Sequence, residues 1–403
     1  MHWFNKRQKP TWSGVKLRVF FIHLVLTVLL LGTSAAAAEE QLPLLPDELY
    51  GGVEYALSVV GSESDIDPGR LTGVVEFVRS AAAGASYVLA ERNGSEGAFH
   101  AFTINSRFSE FMAYSLSPDI PLYTTMPSSL QDHRWLTPQT PRELRSLIAQ
   151  GEDKTAMRVV RGLEAETITP DINTGGYYTY EQQRLVLYLP DPVRPVLISA
   201  TIQDDSSEIG RKGCVVGEDR NWDYLFSEQT GLTRTGLGWV DTFMYNASAV
   251  TVYVGDDSSG TIKAGLFKWL DAGWSKINMV KSHHILNGIK RFAADLKNII
   301  ESPNLPEIQE ISQQYQELQL LEDEALRGRV VPYLERLQQS QKIGECSKSF
   351  VSLVSSGEYL EQMDNRELVR ILLLEYLKGR LSADSYKRLG VQNPAAPSRS
   401  IGS

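Results

Sequence analysis

The sequence predicts an α+β fold: a mostly antiparallel sheet, a long amphipathic helix after it, and an all-helical C-terminal region. Between residues 155 and 268, short apolar or alternating runs recur at hairpin spacing, without the long helical insertions that parallel crossovers need. Residues 280–301 then carry one apolar stripe. Beyond 304 the three- and four-residue spacing of apolar side chains continues, with no strand signal.

Taken in order, residues 1–38 read as a secretory signal. Lys6, Arg7, Lys9, Lys16 and Arg18 form a basic leader, Val19 to Leu31 is the apolar core, and Gly32 to Ala38 are small. Cleavage is expected near Ala38, before Glu39. An uncleaved anchor is the alternative, but the apolar core is short beside the roughly 20 residues of a comfortable span. No later stretch is apolar enough to span a membrane. The expected location is therefore the periplasm or the exterior.

Without the leader, 35 basic residues stand against 49 acidic ones, a balance of −14. Such a surface repels phosphate, which argues against nucleic acid as a partner. Residues 39–66 read as a Pro-punctuated connector, 67–303 as the α+β sheet domain, 304–390 as the helical region and 391–403 as a disordered tail.

The sheet domain opens on a short helix around Leu71, Val74, Val75 and Val78. A hairpin follows, its strands Tyr87 to Ala90 and Phe99 to Thr103 joined through Asn93-Gly94. Residues 105–116 and 141–149 look helical, with a Pro- and Ser-rich loop at 117–140. Eight strand segments are then expected: 157–167, 177–181, 185–189, 196–202, 213–216, 242–246, 249–254 and 262–269. In 280–301, Ile285, Ile289, Phe292, Leu296 and Ile299 share one helix face, suited to lie across a sheet. Further helices are expected around 308–318, 330–337, 347–355, 365–378 and 382–389.

This order, together with Gly265-Leu266-Phe267-Lys268-Trp269-Leu270 leading through Asn278 into the long helix, resembles the helix-grip architecture of START-like domains over residues 80–302. The first hairpin and the 204–240 connection depart from the usual pattern. The resemblance implies a cavity between sheet and helix for a lipid or other apolar ligand, and carries no ligand-binding residue with it.

The segment Gly217 to Trp239 concentrates aromatic, charged and glycine residues. Flat apolar faces beside orienting polar tips suit a small-molecule ligand, so Trp222, Tyr224, Arg234 and Trp239 are the candidate ligand-binding residues. A loop pinned to the sheet by its aromatics is the plainer alternative. Gly231 and Gly236 have phosphate-loop spacing, but Leu237 stands where a lysine is needed. His283 and His284 point about 100° apart on a helix and cannot chelate one ion. No metal or other cofactor is expected.

Cys214 and Cys346 could pair in an oxidising compartment, or remain two buried thiols. The common nucleophile motifs are missing from the chain after the leader. Taken together, these features favour an exported, non-enzymatic protein that binds an apolar or amphipathic molecule in a sheet–helix cavity. One alternative is an envelope interaction protein that self-associates through its helical region. The other is a hydrolase of envelope lipids or polymers.

Overall fold

The computed structural model describes residues 42–149, 156–171, 175–234 and 238–382, apart from the side chains of 233, 234, 238 and 239. The expected signal at 1–38, the expected last helix beyond Ser382 and the tail from 391 lie outside the described residues. Two helices, α1 (Tyr50–Ser58) and α2 (Thr72–Ser80), precede the hairpin of β1 (Ser86–Arg92) and β2 (Ser95–Asn105). Next come α3 (Phe108–Leu116), β3 (Leu130–Trp135), α4 (Thr140–Ala149), β4 (Arg158–Ile168), β5 (Gly176–Tyr177), β6 (Thr179–Leu189) and β7 (Val196–Gln203). The strands β8 (Arg211–Val215), β9 (Tyr224–Thr230), β10 (Leu232–Arg234) and β11 (Gly238–Val240) lead to the long hairpin β12 (Phe243–Asp256) and β13 (Thr261–Trp274), with β14 (Ile277–Asn278) turned back on β13. The remainder is helical: α5 (Ser282–Ile300), α6 (Ile308–Gln319), α7 (Asp323–Gln339), α8 (Lys348–Ser356), α9 (Glu358–Gln362) and α10 (Asn365–Leu381).

The main sheet runs β1-β2-β13-β12-β7-β6-β4-β3, antiparallel at every pairing, with β14 added beside β13. Turn chemistry fixes its two tightest hairpins. Asn93 and Gly94 both take positive φ (51° and 81°), the backbone that a two-residue hairpin requires. In the β12–β13 turn the Asp256 carboxylate accepts from the Ser258 N–H at 3.1 Å, and Gly260 supplies a φ of 65°.

Both faces of the sheet are covered. On one, α1 and α2, with Leu71 just before α2, pack Val53, Leu71, Val74 and Val78 against Phe99, Val252, Phe267 and Trp269. The other face packs Phe102, Ile104 and Tyr188 into one core with α3, α5 and the C-terminal helices. The helix α5 lies against β2, where Lys297 Nζ donates to the Thr103 carbonyl at 2.9 Å. Its buried residues Ala293, Leu296, Ile299 and Ile300 belong to that shared core.

The sequence reading and the structure differ in several places: the expected 204–240 connection contains β9, β10 and β11, and three further differences each have a physical reason. The supposed connector 39–66 contains α1, whose Val53 and Leu57 are buried. Gly51 and Gly52 weaken its helix signal, yet Gly52 lets α2 approach: a Cβ there would stand 2.6 Å from Val74 Cγ2. The loop 117–140 contains β3, whose polar sequence LQDHRW hides an edge strand. The segments 177–181 and 185–189 fall largely within one strand, β6. The residues between them, Gln182, Gln183 and Arg184, interrupt the apolar pattern because two of them serve a polar network on the sheet.

Past α5 the helices are tied by covalent and polar links to the separate β5-β8-β9 sheet and to the turn that leads into β9. Cys214 on β8 and Cys346 before α8 form a disulfide. The Tyr359 hydroxyl accepts from the Phe226 N–H at 2.9 Å, and Lys378 pairs with Asp223 at 2.7 Å.

Candidate functional site

The polar network starts from the pairing of β3, β4 and β6. His133 stands opposite Glu166, and Glu164 pairs with Gln182. Glu164 is fully buried. Its carboxylate accepts from His133 Nε2 at 2.9 Å, Gln182 Nε2 at 2.7 Å and Arg184 Nε at 2.6 Å. Arg184 also reaches Glu166 at 3.1 Å, and the Tyr180 hydroxyl donates to Glu166 at 2.7 Å. Burial alone would raise the Glu164 pKa, but the neighbouring Arg184 and His133 hold it below the usual carboxylate range. The network fixes the His133 imidazole at the edge of the sheet.

A cleft of about 590 Å³ opens at that edge. One side is formed by β3 with the ends of β4 and β6 and by Tyr177, Arg211 and Glu228 of the β5-β8-β9 sheet; α6, α7 and α10 form the other. Its wall mixes aromatic and aliphatic surface (Tyr177, Tyr315, Leu326) with His133, Gln131 and several arginines. Arg211 is paired with Glu228 at 3.1 Å and Arg366 with Asp132 at 3.5 Å. Arg370 has a different environment. It is 2 % exposed, its guanidinium carbon lies 4.9 Å from the centre of the Phe226 ring, and Nε and Nη1 have no hydrogen-bond acceptor. Gln131 Oε1 is likewise buried without a donor. Glu367, one turn before Arg370, accepts from the Tyr359 hydroxyl at 3.1 Å, and burial pushes its carboxyl up to about 7.

The aromatic segment read as a ligand site serves a different part of the molecule. Trp222 and Tyr224 are 8 % and 1 % exposed, and both are held by partners within the fold. Trp222 takes a positive φ of 55°, which turns its indole N–H to Asp295 of α5 at 3.2 Å. Asp295 also accepts from the Ser128 N–H at 2.8 Å, while burial raises its pKa. The Tyr224 hydroxyl donates to Asp219 at 2.6 Å, and Asp219 is bound in turn by Arg291. These contacts fasten the start of the segment to α5. Arg234 and Trp239 lie in the short hairpin β10–β11, where Arg234 pairs with Gly238 and Thr233 with Trp239; their side chains lie outside the described residues. Neither Trp222 nor Tyr224 lines the cleft.

The sequence reading did not select the cleft residues, although one local signal was present. Arg370 shares a helix face with Leu373, Leu374 and Leu377, at spacings of three, four and seven. A lone cation in an apolar stripe must be buried or strongly displaced. Among the described residues, no helix is long and apolar enough to cross a membrane. Comparison with known proteins supplies no family: no protein-family model matches the chain, and no curated protein matches it significantly.

Proposed function

We propose that the chain is an exported, non-enzymatic protein that binds an amphipathic small molecule, with the ligand seated in the cleft between the sheet edge and α6, α7 and α10. The cleft carries this reading: about 590 Å³ of space in which tyrosine and aliphatic surface adjoins buried polar atoms without partners. The sheet order, with α5 lying against β2, supports the START-like resemblance. The ligand is nonetheless assigned to the cleft rather than to the space under α5, where Phe102, Ile104, Leu296 and Ile299 fill the interface. Export is supported by the basic–apolar–small leader and by the Cys214–Cys346 disulfide, a bond suited to an oxidising compartment.

Native mass spectrometry of the purified full-length product tests the proposal. A stoichiometric adduct is expected in the wild type and not in Gln319→Trp, which places an indole at the exposed rim of the cleft. A bare polypeptide mass under gentle conditions, or an adduct unaffected by Q319W, argues against it. The hydrolase alternative draws on His133, whose imidazole is oriented by a buried carboxylate in the cleft wall. It predicts turnover of an extracted ligand that His133→Ala abolishes, whereas a binding protein returns the ligand intact.

A further inference from the structure

The charges of the cleft wall are unevenly matched. Arg211 and Arg366 each have a carboxylate partner, whereas Arg370 is shut in with two guanidinium nitrogens unsatisfied. An unpaired buried cation is among the costliest features a fold can retain. The Phe226 ring beside the guanidinium offsets part of that cost. Glu367 offsets another part, but its carboxyl is pushed up to about 7, so near neutral pH it is only partly ionised. A second unsatisfied group, the carbonyl oxygen of the Gln131 side chain, lines the same cleft and requires a donor.

We infer that the cleft contains an oxyanion site, in which Arg370 takes the carboxylate or phosphate of the ligand and Gln131 accepts a hydrogen bond from a hydroxyl or ammonium group carried near it. This rests on the cleft-binding reading above and narrows it to amphipathic acids with a donor beside the anionic head. Arginine suits the anionic role because it stays charged and offers several N–H groups in one plane. Charge-assisted hydrogen bonds are strongest where water is excluded, as it is around Nε and Nη1. Tyr177 and Tyr315 supply surface against which the apolar part of such a molecule would rest.

Isothermal titration calorimetry with inorganic phosphate and with acetate, on the full-length wild type, Arg370→Lys and Arg370→Met, tests the inference and separates the two oxyanions. Saturable binding of at least one probe is expected, weakened at least tenfold in R370M and partly restored in R370K. Gln131→Leu should weaken lactate, which adds a hydroxyl beside the carboxylate, more than it weakens acetate. Because R370M could disturb folding, wild type selectively labelled with ¹⁵N-arginine gives a readout without it. One Nε–H signal, absent from the R370K spectrum, should shift saturably with the probe. Equal binding by wild type and R370M, or no probe-dependent arginine signal, overturns the oxyanion site. A neutral molecule recovered from the cleft would also overturn it while leaving the binding proposal intact, and an empty cleft would remove both.

Discussion

Replacing Glu367 with Gln should remove a pH dependence of stability that this one carboxyl imposes on the fold. Burial is the main cause of its rise from 4.5 to about 7; Arg370 and the Tyr359 hydroxyl oppose the rise. A carboxyl with a raised folded pKa gives its full stability below the unfolded value. That contribution is then lost as pH climbs from about 4.5 through 7. At about 1.4 kcal/mol per pH unit, the loss amounts to at most about 3 kcal/mol, and solvent reaching the cleft lowers it. Gln keeps the shape and an acceptor for Tyr359 but cannot ionise. Urea unfolding of wild type and E367Q at half-unit steps from pH 4 to 8 isolates the effect as a difference curve. Wild type should lose up to about 3 kcal/mol relative to E367Q between pH 4.5 and 7 and stay level above it. Parallel curves would show that Glu367 titrates as it does in the unfolded chain, and would refute the electrostatic picture of the cleft.

Three further outcomes follow from the same contacts. Cys214→Ser with Cys346→Ser opens a loop closed across 132 residues of sequence, and chain entropy puts the loss at about 5 kcal/mol; denaturant unfolding of the oxidised wild type against the double variant measures it. Glu164→Gln leaves Arg184 and His133 without their shared buried charge and should cost about 3–5 kcal/mol, read as a lower urea midpoint at unchanged slope. Trp222→Phe removes one of the two donors to the buried Asp295. It should cost about 1–3 kcal/mol while leaving ligand recovery by native mass spectrometry unchanged, because Trp222 fastens the segment to α5 and does not line the cleft.

How far the fold could be read in advance depended on whether its cause was local. Asn93-Gly94 and the Asp256–Gly260 turn specify their hairpins by backbone conformation alone, and the apolar stripe of α5 specifies a helix with one face to bury. α1 escaped notice because its glycines lower helix propensity and its stability comes from packing on α2 and the sheet. The two halves of β6 looked separate because Gln182 and Arg184 are polar residues buried against Glu164, a partner supplied by another strand.

The cleft was harder still. Its residues come from Gln131 on β3, Tyr177 and Arg211 near the small sheet, and Tyr315 and Arg370 on the helices, and no short window contains two sides of it. The segment 217–239 drew attention through its composition, which cannot say whether an indole or phenol turns its polar tip to a ligand or to the protein. For Trp222 and Tyr224 the partners are Asp295 and Asp219. For Arg370, the apolar stripe around it gave the burial, but only the assembled cleft shows that its Nε and Nη1 are left without an acceptor.

Electron density in crystals of the protein, purified from the cells that make it without denaturation or extraction, tests the central claim most directly. Density for a bound molecule is expected beside Tyr177, Tyr315 and Arg370, between the sheet edge and α10. A cleft holding only ordered water, or ligand density lying instead between α5 and the sheet, would contradict the account.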